Sequence, residues 1–420
     1  MQSLRRVWLR CHRWTALCLG WLLVLSGITG SLLVVARPVD RWLHPAYFQA
    51  ASAGSNVPGG SSGPNGASGP GGASGPGGSP GVRMVSLEGL RQRLAADFGP
   101  GASFTFAPPR QEGETLQILV RGSWRGSLYL DPATGAEQGR RGADEGLVAW
   151  VYGLHSALWM AQAGKAVLAC AALAYLLLAL TGVVLWWPRR WPPTLRIEFG
   201  KGGTRALFDA HRTGGVLAGL LLAVCMGSGA YLAWRPIGGW ITWLSGAPRT
   251  VAPTLPQALR APAAPLSPTS ARPGQPPLAL PAQPQQQPQP NPEPQRPVSL
   301  DDLANQARAA FPDGAIGYFL YTPRTDRPLA IRMRVPDDPH PNGRSTVWLD
   351  PRTGAILAAQ RWNELDPGTR INSYIYPLHT GELGGIAGQG AVALLGLLLA
   401  TLGGSGIWLW WRRRRARRQS

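Results

Sequence analysis

The sequence predicts an all-α four-helix transmembrane bundle carrying two α+β modules outside the membrane. Three observations lead there: four long uncharged apolar stretches, a basic excess confined to short segments between and beside them, and a helix-and-strand pattern that occurs twice. The stretches run 14–36, 166–187, 213–234 and 383–411, of 23, 22, 22 and 29 residues. Each reaches the roughly 20 residues that a helix needs to cross a bilayer. A formal charge of +19 would point to nucleic acid in a soluble protein. Here it has another origin. Residues 1–13, 188–212 and 412–420 together hold 16 basic and 2 acidic groups. The positive-inside rule places all three on the cytoplasmic side, with four crossings and both termini inside, and no nucleic-acid partner is expected.

Taken along the chain, the reading is a cytoplasmic N-terminus (1–13), a first crossing (14–36), an outer segment and Gly/Ser/Pro linker (37–81) and module 1 (82–150). An extended helix containing the second crossing (151–187), a cytoplasmic loop (188–212) and a third crossing (213–234) follow. Then come an outer segment and Pro/Gln linker (235–298), module 2 (299–372), an extended helix containing the fourth crossing (373–411) and a basic tail (412–420). The basic start before an apolar run also fits a signal peptide. The length of that run and its Ala36-Arg37-Pro38 end favour a retained helix.

Residues 51–81 are Ala, Ser, Gly or Pro at 28 of 31 positions, too little apolar surface to offset ordering, so they read as a tether. After each tether the same features recur. SLEGLRQRLAADF (86–98) matches SLDDLANQARAAF (299–311), each with a Ser N-cap and an acidic first turn. The alternating runs 115–120 and 329–335 follow, then strands that stop at Asp131–Gly135 and Asp350–Gly354 in an Asp-Pro-x-Thr-Gly turn. Turn capping is the favoured role for both aspartates, with ligand contact as the alternative. Copies of this size have marginal cores and must lean on each other or on the bundle.

Four of the six histidines stand at the starts of the membrane segments: His12, His155, His211 and His379. Their spacing to helix glycines is duplicated. His12 to Gly30 and His211 to Gly229 are both 18 residues, and His155 to Gly182 and His379 to Gly406 are both 27. The membrane part is therefore a two-helix unit used twice. Topology puts His12 and His211 near the inner surface and His155 and His379 near the outer one. Facing imidazoles on each side are what a six-coordinate b-type haem requires, so two non-covalent haems with these four residues as axial iron ligands are expected. Polar capping is the bland alternative. Zinc would need more ligands than a pair supplies. His44 and His340 receive no role. Cys11, Cys18, Cys170 and Cys225 form no CxxCH, which leaves covalent c-type attachment without its usual motif. At 1.5 Å per residue, the 32 residues from His155 to Trp187 would span about 48 Å, more than the bilayer, so the outer pair should stand at or above the surface unless the helix breaks.

The D-x-x-T-G turns and their helix-strand setting resemble the PepSY module. HRWTALCLGWLLVLSGITG, LTGVVLWWPRRW, DAHRTGG and LHTGELGG extend the resemblance to the PepSY-associated transmembrane helix family, and within it to the dihaem ferric-siderophore reductases of bacterial inner membranes. The resemblance implies haem on His12, His155, His211 and His379, periplasmic PepSY-like modules, and electrons passing outward to a ferric siderophore with release of ferrous iron. With no Gly-x-Gly-x-x-Gly dinucleotide motif in an inner segment, the donor would be quinol or a separate protein. Two rivals remain open: a non-enzymatic membrane-anchored binding or regulatory protein, and a cytochrome b subunit serving another periplasmic reductase.

Overall fold

The computed structural model describes residues 2–54, 84–188, 191–193, 195–234, 236–255 and 298–419; the expected linkers lie mostly outside them. Among the described residues, four helices are long and apolar enough to cross a membrane. They are α1 (Gln2–Leu43), α4 (Ala161–Trp186), α5 (Gly203–Ala233) and α9 (Gly385–Gln419). α1 packs against α9 and α4, and α5 against α4 and α9, closing a four-helix ring. Leu23, Tyr175, Leu178, Leu222 and Leu399 form its dry waist. Outward residues such as Leu220 (76% exposed) and Leu394 (68%) are the lipid-facing surface, stable there only in a hydrocarbon solvent.

Backbone approach holds the α1–α9 seam. A Cβ on Gly27 would collide with the Gly396 carbonyl, and one on Gly396 with Ser31. The Ser31 hydroxyl reaches the Ala393 carbonyl across the seam at 2.7 Å. Small residues serve this purpose because lipid provides no hydrophobic drive for helices to associate. The glycines of α5 do not all share the role: Gly215, Gly219 and Gly227 have open space at the Cβ position.

Neither extended helix is continuous. The run expected over 151–187 breaks between α3 (Gly146–Ala157) and α4, where Leu158, Trp159 and Ala161 take positive φ of 48°, 54° and 47°. The run expected over 373–411 breaks between α8 (Pro367–Thr380) and α9, through Gly381 and Gly385 at φ 78° and 57°. The break lets the chain fold back on itself: a Cβ on Gly164 would strike the Ala157 carbonyl, and one on Gly388 the Gly381 carbonyl. This fold-back removes the length problem of an unbroken helix.

The two helix-and-strand copies meet in one domain. Eight antiparallel strands form one sheet, in the order β4-β3-β2-β1-β5-β6-β7-β8. The strands are β1 (Ser103–Ala107), β2 (Leu116–Arg121), β3 (Arg125–Leu130), β4 (Glu137–Gly142), β5 (Ala315–Tyr321), β6 (Leu329–Arg334), β7 (Ser345–Leu349) and β8 (Ile356–Gln360). The halves join at β1–β5, with Phe104 opposite Tyr321 and Phe106 opposite Phe319. Helices α2 (Leu87–Phe98) and α7 (Leu300–Ala310) cover one face, and both halves contribute to a single core. Each half alone would leave an unpaired edge and half a core. The helices also cap one another: Asp301 accepts from the Leu87 amide at 2.8 Å, and Glu88 from the Leu300 amide at 3.4 Å. Carboxylates at helix N-termini are stabilising in this way.

Both aspartate turns are caps. Asp131 Oδ1 accepts from the Ala133 and Thr134 amides at 3.0 Å, and Asp350 Oδ1 from the Arg352 amide at 2.8 Å. Gly135 and Gly354 close them at φ 69° and 75°. Burial alone would raise the Asp131 carboxyl, but donors from Ser52, Thr134 and Ala133 outweigh it and hold the group at about 2.

Two outcomes follow from these features. Gly396→Leu should force α1 from α9 and lower the thermal midpoint of the full-length protein in detergent, by an amount equivalent to about 1–3 kcal/mol. The contribution of Asp131 to stability is present above 3.8 and lost as pH falls through about 2. Asp131→Asn should therefore melt lower at neutral pH and show a shallower loss in that acid window, measured by circular dichroism.

Candidate functional site

The four candidate histidines lie at two levels of the bundle. His155 on α3 and His379 on α8 come together at the end nearer the sheet, with ring centroids 6.2 Å apart and planes inclined by 35°. His12 on α1 and His211 on α5 lie at the other end, within electrostatic range of each other. Eighteen helical residues of α1, from His12 to Gly30, separate the levels by about 27 Å.

Each imidazole is held in the same manner. His12 Nδ1 lies 2.8 Å from Thr181 Oγ1, and His155 Nδ1 2.9 Å from Thr29 Oγ1. His211 Nδ1 lies 3.0 Å from Ser405 Oγ, and His379 Nδ1 3.1 Å from Ser228 Oγ. Every one of these hydroxyls donates its own proton to a carbonyl one turn back in its helix: Leu177 for Thr181, Leu25 for Thr29, Leu402 for Ser405 and Cys225 for Ser228. The hydroxyl oxygen is left to accept, so Nδ1 carries the ring proton. The Cys225 carbonyl, 3.1 Å from His379 Nδ1, demands the same tautomer. Nε2 is then the bare nitrogen, the one that can bind a metal.

A glycine follows each hydroxyl residue, and the ring rests against it. A Cβ on Gly30 would stand 3.1 Å from His155 Cε1, and one on Gly229 3.0 Å from His379 Cε1. On Gly406 it would stand 3.3 Å from His211, and on Gly182 3.7 Å from His12. Four hydroxyl-glycine pairs thus receive four rings: Thr29-Gly30, Thr181-Gly182, Ser228-Gly229 and Ser405-Gly406. Sequence reading found the glycines through their spacing and missed the hydroxyls. The signal was present in the same dipeptides.

The outer pair has the ring spacing that a bis-imidazole metal group would need. Two metal–nitrogen bonds of about 2 Å and about 1.1 Å from each nitrogen to its ring centre sum to about 6.2 Å, which is the spacing of the outer rings. At the other level Arg13 Nε and Thr213 Oγ1, each close in sequence to a histidine, are buried with no hydrogen-bond partner among the described residues. Polar groups left in that state suit an acidic edge such as a propionate. No cluster of three or more His, Cys, Asp or Glu side chains forms a metal site among the described residues.

The ends of the bundle differ in charge. Arg5 donates to the Leu185 carbonyl at 3.3 Å, and Arg413 lies over Phe208 at 5.7 Å, gathering the N-terminus, the end of α4, the start of α5 and the tail at one end. Trp408, Trp410 and Trp411 there stack with Arg412, Arg414 and Arg415. The sheet is tied to the opposite end. Asp40 near the end of α1 pairs with Arg141 at 2.7 Å, and Asp366 caps α8 and binds Thr242 of α6 (Pro236–Ser245).

The remaining histidines were given no role from sequence. His44 pairs with Asp40 at 3.0 Å and is part of that tie. His340 is buried on the bundle side of the sheet and stacks on Tyr376 at 5.2 Å, one turn before His379. Burial, then Arg344, Arg332 and Arg110, push its imidazole down to about 4.

Four membrane-length helices beneath an antiparallel sheet, with paired histidines at two levels, define a polytopic membrane protein. The chain belongs to the family described as the PepSY-associated TM region, which matches residues 9–413. Membership suggests the cytochrome b type. No curated protein matches it.

Removing the accepting oxygen tests the tautomer lock directly. In 15N-histidine-labelled protein Thr29→Val should abolish or shift the downfield Nδ1–H resonance of His155, and Ser228→Ala should shift that of His379, which keeps the Cys225 carbonyl as acceptor. The resonances of His12 and His211 should not move.

Proposed function

We propose that this protein is a membrane cytochrome b that passes single electrons outward to a ferric siderophore, releasing the metal as ferrous ion. The observation that carries the reading is the fourfold hydroxyl-glycine cradle, which fixes each of His12, His155, His211 and His379 with Nε2 bare. His155 and His379 would hold one b-type haem, and His12 and His211 a second. When bound, such a haem supplies a one-electron iron couple between two imidazoles. The chain's own part is orientation and insulation. The hydroxyls keep Nδ1 protonated, the glycines let the rings lie flat against a helix, and the Leu23, Tyr175, Leu178, Leu222 and Leu399 waist excludes water between the levels.

The substrate is ferric iron in a hard-oxygen chelator. Such ligands bind the ferrous ion far more weakly, so one added electron loosens the metal with no bond of the chelator broken. The electron comes from quinol or a separate donor protein at the arginine-rich end. By the positive-inside rule that end is cytoplasmic, in a bacterial inner membrane, and the PepSY-like sheet is periplasmic.

Haem quantitation on detergent-purified protein tests the reading. Two b-type haems per chain are expected. His155→Ala or His379→Ala should remove one, and His12→Ala or His211→Ala the other, with distinct reduced-minus-oxidised spectra. A colourless protein with intact helices would overturn the proposal and favour a binding or regulatory role.

A further inference from the structure

The sheet has a second face, turned toward the bundle, and it carries two arginines that lack the carboxylate partner several others in the outer domain have. Arg91, Arg140, Arg141, Arg324 and Arg361 each pair with a carboxylate at 2.5–2.9 Å. Arg332 and Arg344 are half-buried, and neither has a carboxylate within ion-pair distance among the described residues. They lie within electrostatic range of each other and of His340. The carboxylate nearest to Arg344 in effect is Asp338, and its two oxygens accept from the backbone amides of His340 and Arg344.

The position of this cationic group follows from the strand pattern. Along β6 the core residues Leu329, Ile331 and Met333 alternate with Ala330, Arg332 and Arg334, so Arg332 must face away from α2 and α7. Tyr318 sits beside it on β5 and Thr346 on β7. On the bundle side, Tyr376 stacks on His340, and Tyr231, near the end of α5, lies within range of Arg344. Tyr376 is three residues before His379, so this group touches α8 one turn from a ring of the outer histidine pair. A separate cleft of about 480 Å³, lined by Asp313, Arg334, Asp338 and His340 but by neither Arg332 nor Arg344, opens beside it.

Guanidiniums desolvated without counter-charge are costly unless an anion completes them, and aromatic walls favour flat, delocalised ligands. We propose that Arg332 and Arg344, with His340 and the surrounding tyrosines, form the acceptor site, and that it takes a metal chelate of net negative charge built from catecholate or carboxylate oxygens. This rests on the reductase reading for the consequence of binding, while the binding itself does not.

The test uses gallium(III) chelates, which have the shape of the ferric complexes and accept no electron, titrated calorimetrically into haem-loaded full-length protein. The net-negative gallium tricatecholate should bind at least about tenfold more tightly than the net-positive complex of an amine-terminated trihydroxamate. Arg332→Gln and Arg344→Gln should each weaken the first about tenfold or more. Arg332→Lys should weaken it less, and Arg324→Gln, on an exposed loop, should have no effect. Equal binding of both chelates, or binding indifferent to Arg332→Gln and Arg344→Gln in variants that melt like the parent, would overturn the site. Loss of haem absorbance in those variants with chelate binding unchanged would also overturn it, assigning the arginines to haem propionates. A protein without haem that still binds the tricatecholate in an arginine-dependent way would sink the reductase reading and leave the site standing.

Discussion

The whole membrane half depends on one hydrogen bond made four times: an imidazole Nδ1–H given to a hydroxyl whose own proton is already committed to its helix. A threonine or serine inside a helix ordinarily bonds to the carbonyl one turn back, at some cost in helix geometry. Here that habit has a use, because a hydroxyl that has spent its proton can only accept. The tautomer of the histidine on the next helix is thereby chosen without a charged partner, which in hydrocarbon would be expensive. Carboxylates do the same task in soluble metal sites. A membrane bundle achieves it with neutral groups.

Orientation needs room as well as a partner. The glycine after each hydroxyl residue lets the ring approach to 3.0–3.7 Å of where a Cβ would sit. The same absence of a side chain brings α1 onto α9 at Gly27 and Gly396, so glycines serve two ends that the sequence does not distinguish. Above the membrane the constraint is size. Each βββ β half with one helix is too small to close a core, and the join at β1–β5 together with the crossed caps of Asp301 and Glu88 makes one domain from two.

Much of this was legible in the residues. The four apolar stretches, the duplicated histidine-to-glycine spacings and the paired SLEGL and SLDDL helices all survive in the structure, because each is a local pattern tied to helix or strand period. What was not legible is what depends on which elements meet. His12 to Gly30 is an interval along one helix, yet His12 rests on Gly182 and it is His155 that rests on Gly30. Strand pairing between β1 and β5 joins residues more than two hundred apart, and nothing in either strand announces it. The break after α3 was hidden for a different reason: Leu158 and Trp159 are not residues that signal the positive φ they adopt. His340 carried no motif at all and gained significance only when the sheet folded down onto Tyr376.

The two copies solve that break unequally, and the difference bears on the outer pair. In the second copy Gly381 and Gly385 adopt positive φ at no steric cost. In the first, Leu158, Trp159 and Ala161 do so against a penalty of about 1–2 kcal/mol each. The surrounding contacts must offset it, among them Trp159 edge-on to Trp150 at 4.4 Å between centroids. His155 stands three residues before that strained turn, and His379 two residues before the relaxed one. The two facing rings of the outer pair are therefore presented from turns of unequal cost, the second copy's carrying less strain.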